Sequence, residues 1–458
     1  MDPAPASRDD NSFFGHPKGL AYLAFTEAWE RFSFYGMSGL LLLYMIQHLF
    51  TPEIMGGVLG LGQFRAAVEW VTGPLSDQAF AAQIYGLYSG LVYFTPVFGG
   101  LLADRLLGQR RTVLLGAAMM SLGHLLMASE AAFLAALVLL VIGSGLLKGN
   151  ISVQVGQMYG PHEEGRRTRA FVIFSAGINA GGLLGPAVCA VLAQYWGWHV
   201  GFAAAGVMML VAMGIYMAGR RHLPPDVARV RDAATAPLTA HEWKVIAGLL
   251  LVSLVAVLPA AVYNQEFIAG ILLIEESVDR GLFGWTVPTS AFNSFDGLFC
   301  ILLVPPLLML WRWQATRGRE PGELGKITIG YLITAVAQLV MLLPASRVDA
   351  GQQIHMLWPL LLFALNALGF LYYWPTVLAL FSRVAPAAVT STMMGMLFFS
   401  TFLGNVLSGA FTAWWETMSH ARFFWLHALL ALGPFVLALL TLRPLQRLFA
   451  APGSPRSG

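Results

Sequence analysis

The chain has 458 residues, and only 11% of them are charged, where a soluble domain carries about 25%. Hydrophobic residues make up 57%, and the mean hydropathy is +0.67. These values exclude a soluble globular protein, a disordered chain and a nucleic-acid-binding protein, because so few polar side chains cannot cover a surface that faces water. Both cysteines, Cys189 and Cys300, lie in apolar stretches, so neither a disulfide framework nor a thiolate cluster is expected.

The polar N-terminal segment carries no pattern of a removable signal, and the first apolar run extends roughly from Leu20 to Gln47. Such a run is long enough to cross a hydrocarbon layer of about 30 Å as a helix. Eleven more apolar runs follow, at approximately 80–103, 112–129, 132–157, 169–195, 200–219, 245–272, 289–311, 326–344, 356–382, 390–415 and 423–442. The sequence therefore predicts an all-α integral membrane protein with twelve transmembrane helices, numbered here as spans one to twelve.

A stretch rich in arginine and proline divides these spans into two bundles of six. The predicted order is a cytoplasmic N-terminal segment, an N-terminal bundle, a cytoplasmic linker, a C-terminal bundle and a cytoplasmic tail, at residues 1–19, 20–219, 220–244, 245–443 and 444–458. With both termini in the cytoplasm, the cytoplasmic segments hold 21 of the 27 lysines and arginines. This bias agrees with the general excess of lysine and arginine in the cytoplasmic loops of membrane proteins. The expected location is the plasma (inner) membrane.

The longest predicted outer segment, residues 51–79, separates spans one and two. Its apolar residues Val58, Leu61, Phe64 and Val68 are spaced to line one side of a helix. We expect an amphipathic element on the outer surface. It either covers the outer edge of the bundle, which is the favoured interpretation, or gates access.

Span one contains three ionisable residues, Glu27, Glu30 and Arg31, on one helix face. An ionisable group at mid-depth in a membrane costs roughly 2.5–3.5 kcal/mol, so such residues indicate function. One interpretation is a self-neutralising cluster that fixes helix packing. The favoured one is a proton-coupled switch, in which the proton affinity of the carboxyl groups depends on what else Arg31 contacts.

Lys148 in span four lies among glycines, but no Ser or Thr follows it as a nucleotide-binding loop requires. The glycines are expected to allow close helix packing, and Lys148 either offers a cation to a central cavity or has a packing role. Two more acids fall inside spans: Asp296 in span eight and, as a weaker candidate, Glu266 in span seven.

Polar and aromatic side chains in the first bundle are candidates for a binding site. Asn179 lies on a small-residue face of span five, where its amide could bridge helices or reach a ligand. The rings of Tyr35 and Tyr93 would suit a cavity for peptide-like ligands. Packing or interface placement is the competing interpretation for the tyrosines. His124 and His199 could relay protons, but packing or interface placement is favoured for these two histidines.

Four segments carry a resemblance to known transporters. Between spans two and three, the sequence GLLADRLLGQRR at Gly100–Arg111 resembles the cytoplasmic-loop signature of the major facilitator superfamily. EAWERFSFYGM at Glu27–Met37 resembles the first-helix motif of the proton-dependent oligopeptide transporters, and the segments Gly145–Ser152 and Phe174–Gly181 resemble their fourth and fifth helices. The chain is thus similar to that family over essentially its whole length, as a divergent bacterial-type member.

The resemblance implies uptake of di- and tripeptides with protons by alternating access. The implied proton-coupling residues are Glu27 and Glu30, with Asp296 added for this chain. The implied substrate-binding residues are Arg31, Tyr35, Tyr93, Lys148, Asn179, Asn264, Phe370 and Trp374. The implied cytoplasmic gate comprises Asp104, Arg105 and Arg110.

The chain departs from the family pattern at functional positions. Ser38 stands where the first helix usually has arginine, and Asn264 where span seven usually has an acid. Those two family residues can pair, so their joint loss indicates coordinated neutralisation. Phe370 replaces the carboxylate expected to meet a peptide's amino group, whereas Asp296 stands where the pattern has asparagine. Asp296 is therefore a candidate to supply the negative charge that Phe370 lacks.

Two other functions stay open at this point. One is proton-coupled transport of other amphipathic organic anions or drugs, favoured by the loss of the acids at Asn264 and Phe370. The other is a binding or sensory protein that no longer transports, which the retained charges of span one disfavour. The sequence contains no enzyme constellation, and no cofactor, metal ion or nucleic-acid partner is expected. The expected partners are short peptides, protons and the lipid bilayer, and the expected state is a monomer.

Overall fold

The computed structural model describes residues 13–160, 162–226, 238–386 and 388–450, which lie mostly in helices. Parts of the predicted N-terminal segment, linker and C-terminal tail fall outside these residues. The helices are α1 (Lys18–Tyr44), α2 (Pro52–Met55), α3 (Leu61–Thr72), α4 (Asp77–Phe94), α5 (Pro96–Leu102), α6 (Gln109–Leu126), α7 (Phe133–Gln157), α8 (Glu164–Trp196), α9 (Trp198–Gly219), α10 (Ala240–Asn264), α11 (Ala269–Ser277), α12 (Ser294–Thr316), α13 (Glu323–Val340), α14 (Leu342–Asp349), α15 (Leu357–Val384), α16 (Thr390–Phe411) and α17 (His420–Phe449).

Short turns and strands connect the helices. Two π-helical turns cover Met45–Leu49 and Ala103–Leu107, and 3₁₀ turns cover Glu130–Ala132, Arg220–His222, Gln265–Phe267, Thr289–Asn293 and Thr412–Trp414. The strands are β1 (Val278–Asp279), β2 (Gly281–Leu282), β3 (Trp285–Thr286) and β4 (Ile354–His355). β1 pairs with β4 in parallel, and β2 with β3 antiparallel. The sequence did not predict these two-residue strands, which lie in connections between helices.

Ten helical segments in the described part of the chain are long and apolar enough to cross a membrane, by length and composition. Two further helices, α1 with 27 residues and α6 with 18, correspond to predicted spans one and three. Together they match the twelve predicted spans and confirm the all-α membrane fold. The start of α10 is defined by a capping box, in which Thr239 and Glu242 each accept a hydrogen bond from the other's backbone N–H.

The chain forms two compact units. The first comprises residues 1–231 and 281–298, and the second comprises residues 232–280 and 299–458. In the first unit α1 packs against α8 and α9, and α6 packs against α7. In the second unit α13 packs against α15 and α17, and α10 packs against α16. The buried core of the second unit includes Tyr331, Phe381 and Leu397.

Residues 281–298, which the sequence-based boundaries include in the C-terminal bundle, contact the first unit. The indole N–H of Trp285 donates to the hydroxyl of Tyr195 over 2.8 Å, and the side-chain amide of Gln194 donates to the carbonyl of Thr286 over 3.4 Å. Farther along, Asn293 donates to the carbonyl of Gly39 over 3.3 Å. These contacts attach the β2–β3 hairpin and the start of α12 to the helices of the first unit.

The segment predicted to be amphipathic contains α3. Its apolar residue Leu61 is buried, whereas Trp70 is 88% exposed. Arg65 on α3 pairs with Glu69 over 2.9 Å and with Asp77 at the start of α4 over 2.7 Å. The pair with Asp77 connects α3 to the helix of span two, and the pair with Glu69 orients Arg65 within α3.

Glycines on α8 allow α1 to pack closely against it. A Cβ atom added at Gly181 would lie 2.4 Å from the carbonyl oxygen of Ala28 and 2.6 Å from Cβ of Arg31. Gly177 and Gly185 meet α1 backbone in the same way, one turn away on either side. Contact of this closeness is possible only for residues without a side chain, and it brings α8 against Ala28 and against Cβ of Arg31.

We expect the substitution Gly181→Ala to destabilise the first unit. The new methyl group meets backbone atoms of α1, which cannot rotate away, so overpacking should cost about 1–3 kcal/mol. The melting temperature of the purified protein in detergent, followed by tryptophan fluorescence, should fall by several degrees. Gly214→Ala on α9 is the matched control, because a Cβ there meets no atom within 4 Å. Equal melting temperatures for the two variants would contradict the packing argument.

Candidate functional site

The three ionisable residues of α1 form a buried cluster. Arg31 Nε lies 2.8 Å from Glu27 Oε1, to which it donates a hydrogen bond, and 2.7 Å from Glu30 Oε2. The side chains of Glu27 and Arg31 are 4% exposed, and that of Glu30 is 0% exposed. The spacing i, i+3 and i+4 brings these groups together on one helix face, as the sequence predicted.

The carboxyl groups of this cluster have few hydrogen-bond donors. Glu27 Oε2 and both carboxyl oxygens of Glu30 accept no hydrogen bond from any described residue. Two carboxyl groups therefore share one guanidinium, and the trio has a net charge of −1 when both are ionised. A buried charge without full compensation is costly, so binding of one proton or approach of one cation relieves the cluster.

Lys148 on α7 lies beside the trio and supplies a second cation. Its ammonium Nζ is 4.3 Å from the ring centroid of Phe34 and 5.0 Å from that of Tyr93. Within the described part of the chain, no carboxylate oxygen lies within 4.0 Å of Nζ, although Lys148 interacts electrostatically with Glu27, Glu30 and Arg31. Cation–π contacts hold the ammonium in place and leave its hydrogen-bond donors available.

Phe34 was missed by the sequence analysis as a functional residue. Its ring lies beneath Lys148 and also 5.7 Å from the guanidinium carbon of Arg31. It therefore contacts both cations of the site. The available signal was its position three residues after Arg31, which places it on the same helix face.

Asp296 belongs to the same unit as the α1 cluster, although it lies in span eight. It is in the first turn of α12, within the segment that packs on the first unit. It interacts electrostatically with Tyr35 and Tyr93. The structure thus assembles Glu27, Glu30, Arg31, Tyr35, Tyr93, Lys148 and Asp296 in one unit. These residues carry three carboxyl groups, one guanidinium and one amino group.

Asn179 is half-buried on α8, and its side chain makes no hydrogen bond to another residue among those described. The amide is free to bind a ligand. Asn150, two residues after Lys148 in the same motif, has a different role. Its side chain donates to the carbonyl groups of Gly99 and Leu146, over 3.2 and 2.8 Å, and so connects α7 to α5.

His124 is buried on α6 and contacts α1. Its Nε2 atom lies 2.7 Å from the hydroxyl oxygen of Ser33, and the two groups form a hydrogen bond. This contact connects two helices of the first unit near the α1 cluster. The packing interpretation favoured for His124 accounts for this geometry.

The predicted residues of the second unit lie in an aromatic stack. The ring of Phe370 is parallel to that of Tyr263 at 5.2 Å and to that of Trp374 at 6.3 Å between centroids. Trp374 also meets Phe398 edge to face at 6.1 Å. Asn264 stands next to Tyr263 but its side chain donates to the carbonyl of Ala260 in its own helix. Phe370 therefore presents an apolar surface where the family pattern has a carboxylate.

Glu266, the weaker candidate of the sequence analysis, is buried in the turn between α10 and α11. Its Oε2 atom accepts a hydrogen bond from the side-chain amide of Asn366 on α15 over 2.9 Å. The neighbouring Gln265 donates to the carbonyl of Ser408 and accepts from Thr412. These hydrogen bonds connect the break in span seven to spans ten and eleven.

The predicted cytoplasmic gate residues have separate partners. Asp104 lies in the π-helical turn after α5 and accepts a hydrogen bond from the side chain of Gln109 over 3.2 Å. Arg110 donates to the carbonyl groups of Leu223 and Pro224 after α9. Arg105 is exposed. The arrangement connects the start of α6 to the end of span six.

Comparison with known proteins shows similarity along almost the entire chain. The family model described as PTR2: POT family matches residues 110–227 and 228–426. A di-/tripeptide transporter of Lactococcus lactis is 28% identical, over 96% of this chain and 98% of that protein. The peptide transporter YePEPT of Yersinia enterocolitica is 30% identical, over 87% of this chain and 88% of that protein.

Solved structures show the same similarity. A crystal structure of the peptide transporter POT in complex with sulfate has a TM-score of 0.83 and 26% identity, and the match covers 96% of this chain and 98% of that one. A mutant of the peptide transporter POT in complex with alafosfalin has a TM-score of 0.84, with the same identity and coverage.

Proposed function

The chain belongs to the POT family, and from this premise we propose that it is a proton-coupled symporter that imports di- and tripeptides. The observation that carries the proposal is the position of Lys148. A cation that no described carboxylate contacts lies beside the buried Glu27–Glu30–Arg31 cluster. Such an arrangement suits recognition of a peptide carboxylate next to groups that bind a proton.

In this proposal Arg31 and Lys148 bind the carboxylate of the peptide, and the proton binds to Glu27 or Glu30. When a substrate carboxylate approaches Arg31, the guanidinium is shared among more anions, so the carboxyl groups of the trio hold a proton more strongly. Substrate and proton would therefore favour each other's binding. This linkage is what symport requires.

Tyr35, Tyr93 and Asn179 are proposed to line the binding site. Asp296 is proposed to bind the amino group of the peptide. Phe370, which stands where the family pattern has the carboxylate for that role, has no charge. Its electrostatic interaction with Tyr35 and Tyr93 supports this assignment, because it puts a carboxyl group on the side of the unit that carries Lys148. Asn264, Phe370 and Trp374 are proposed as substrate-binding residues of the second unit.

Alternating access is the proposed transport cycle, with Asp104, Arg105 and Arg110 as the cytoplasmic gate. We further propose that the protein is a monomer in the inner membrane. Both termini are proposed to lie in the cytoplasm, and the charge bias of the loops supports this orientation. One proton moving inward gains about 2.3 kcal/mol per 100 mV. That energy sustains roughly a fifty-fold gradient of a neutral zwitterion.

We expect purified protein in proteoliposomes to accumulate di- and tripeptides when an inward proton gradient is imposed, and not when the gradient is collapsed with an uncoupler. The panel should include the same peptides with acetylated amino groups. If Asp296 binds the amino group, the acetylated forms should bind at least about tenfold more weakly, because a charge-assisted hydrogen bond is lost. Equal binding of free and acetylated peptides would contradict the proposed role of Asp296 but would leave the proposal of peptide symport intact.

The same assay distinguishes the alternative function. The stack of Tyr263, Phe370 and Trp374 presents apolar surface in the second unit, which favours amphipathic organic anions. Proton-driven uptake of a labelled non-peptide anion that no peptide of the panel inhibits would show that organic anions, and not peptides, are the substrates. The absence of any proton flux with either class would contradict symport itself.

A further inference from the structure

Three residues far apart in sequence meet at one end of the first unit, outside the proposed transport site. His48 lies in the π-helical turn Met45–Leu49 that follows α1. Glu130 opens the 3₁₀ turn between α6 and α7, and His199 is the second residue of α9. The proposed topology places this end of the unit on the outer side. Neither the peptide nor the proton pathway proposed above uses these residues.

The three side chains converge on a single oxygen atom. Oε1 of Glu130 lies 3.2 Å from Nε2 of His48 and 2.9 Å from Nε2 of His199. All three donor atoms lie within 4.8 Å of one another. Ligands of a tetrahedral zinc ion with bonds of about 2.0–2.1 Å are separated by about 3.3 Å, so small side-chain movements would suffice to admit an ion.

The hydrogen bonding of His199 leaves its Nε2 atom directed at Glu130, as metal binding requires. Its Nδ1 atom lies 3.2 Å from the carbonyl oxygen of Met127, which can only accept a hydrogen bond. A neutral imidazole has one N–H, and when Nδ1 donates it to Met127, Nε2 presents a lone pair to the Glu130 carboxylate. Two acceptors then face each other unless a second ring proton or a metal ion lies between them, and a metal ion in that place satisfies both acceptors. Donation of the second ring N–H to a carbonyl is the usual outer support of a metal-binding histidine.

The surroundings of the cluster are preorganised and accessible. The buried ring of Tyr44 packs against both histidines, with centroid distances of 5.4 Å to His48 and 6.2 Å to His199. The side chains of His48, Glu130 and His199 are 30%, 34% and 39% exposed. Tyr44 therefore fixes the imidazoles from below, while solvent reaches the cluster from above and can provide a fourth ligand.

We propose that His48, Glu130 and His199 bind a divalent transition-metal ion, with water as the fourth ligand. Two imidazole nitrogens and one carboxylate oxygen form a donor set that suits Zn²⁺ and disfavours Mg²⁺ and Ca²⁺, which prefer all-oxygen sites. The bound ion connects the end of α1, the α6–α7 connection and the start of α9. It therefore acts as a structural crosslink within the first unit.

The test is calorimetric titration of Zn²⁺ into the full-length protein in detergent, after removal of any polyhistidine tag. The wild type should bind one equivalent. His48→Gln, Glu130→Gln and His199→Gln should each weaken the affinity by more than about tenfold. The matched control is His241→Gln, which removes an exposed histidine from the start of α10 and should leave the affinity unchanged.

A second measurement uses only the wild type, so it stays informative even if the variants fail to fold. Co²⁺ bound to the wild type should give the intense visible absorption of a four-coordinate ion, which added Zn²⁺ should displace. Absence of Zn²⁺ binding by the wild type would overturn the proposal. So would undiminished binding by a folded His199→Gln variant, or the weak absorption of hexaaquo-like Co²⁺. These results do not bear on peptide uptake, so the two proposals fail separately.

Discussion

Substitution of Glu30 by glutamine is expected to abolish proton-driven accumulation of peptide while leaving counterflow exchange intact. Glutamine keeps the shape of the side chain but cannot take up and release a proton. Because Glu30 is fully buried beside Arg31, with no hydrogen-bond donor to its carboxyl group in the described structure, loss of its ionisation leaves substrate binding possible and removes the coupling. Glu27→Gln should act in the same way, since Glu27 shares the guanidinium.

Both variants should be measured in proteoliposomes, as accumulation under an imposed proton gradient and as exchange of labelled for unlabelled peptide. Glu53→Gln on α2 is the matched control, because Glu53 is exposed and should leave both activities unchanged. Accumulation at the wild-type level in both Glu27→Gln and Glu30→Gln would refute the assignment of the proton site. Loss of both exchange and accumulation would instead indicate that Glu27, Glu30 and Arg31 are needed for substrate binding or folding.

Substitution of Lys148 by glutamine is expected to raise KM for dipeptides about tenfold to hundredfold. The ammonium lies over Phe34 and Tyr93 without a carboxylate partner in the described residues, so it has donors available for a substrate anion. A hydrogen bond to a charged group contributes about 1.5–3 kcal/mol, which corresponds to that change in affinity. The effect should be specific to substrates with a free carboxylate.

The specificity of this effect can be measured with peptides whose carboxylate is amidated. The wild type should discriminate against them, and Lys148→Gln should discriminate far less. Lys326→Gln is the matched control: Lys326 also lies over an aromatic ring, at 3.8 Å from the centroid of Trp311, but it already pairs with Glu320 over 2.5 Å. Undiminished discrimination in the Lys148 variant would contradict carboxylate binding at this residue.

Most of the fold could be predicted from the sequence because membrane-spanning helices have a strong local signal. Each needs about 20 apolar residues, and charge is too costly to occur by chance inside them. The same cost made the cluster at Glu27, Glu30 and Arg31 recognisable, and the helical spacing was enough to predict their pairing. The close approach of α8 to α1 beside that cluster depends on Gly177, Gly181 and their contacts with α1, which only the structure shows.

Features formed by residues distant in sequence could not be predicted. Asp296 lies 65 residues after residue 231, where the first stretch of its unit ends. Nothing in its local sequence pattern indicates that it packs in that unit. The meeting of His48, Glu130 and His199 depends on three separate helix ends, none of which carries a metal-binding motif. Local periodicity determines which residues share a face, whereas tertiary packing determines which faces meet.

The packing of residues 281–298 on the first unit has a consequence for biosynthesis. The chain leaves the first unit at residue 231, returns at residue 281 and departs again after residue 298. During translation the ribosome must therefore make span seven and the hairpin after it before the first unit has all its parts. Folding of that unit cannot be finished when the linker emerges, and the last step of its assembly takes place only after insertion of the second half has begun.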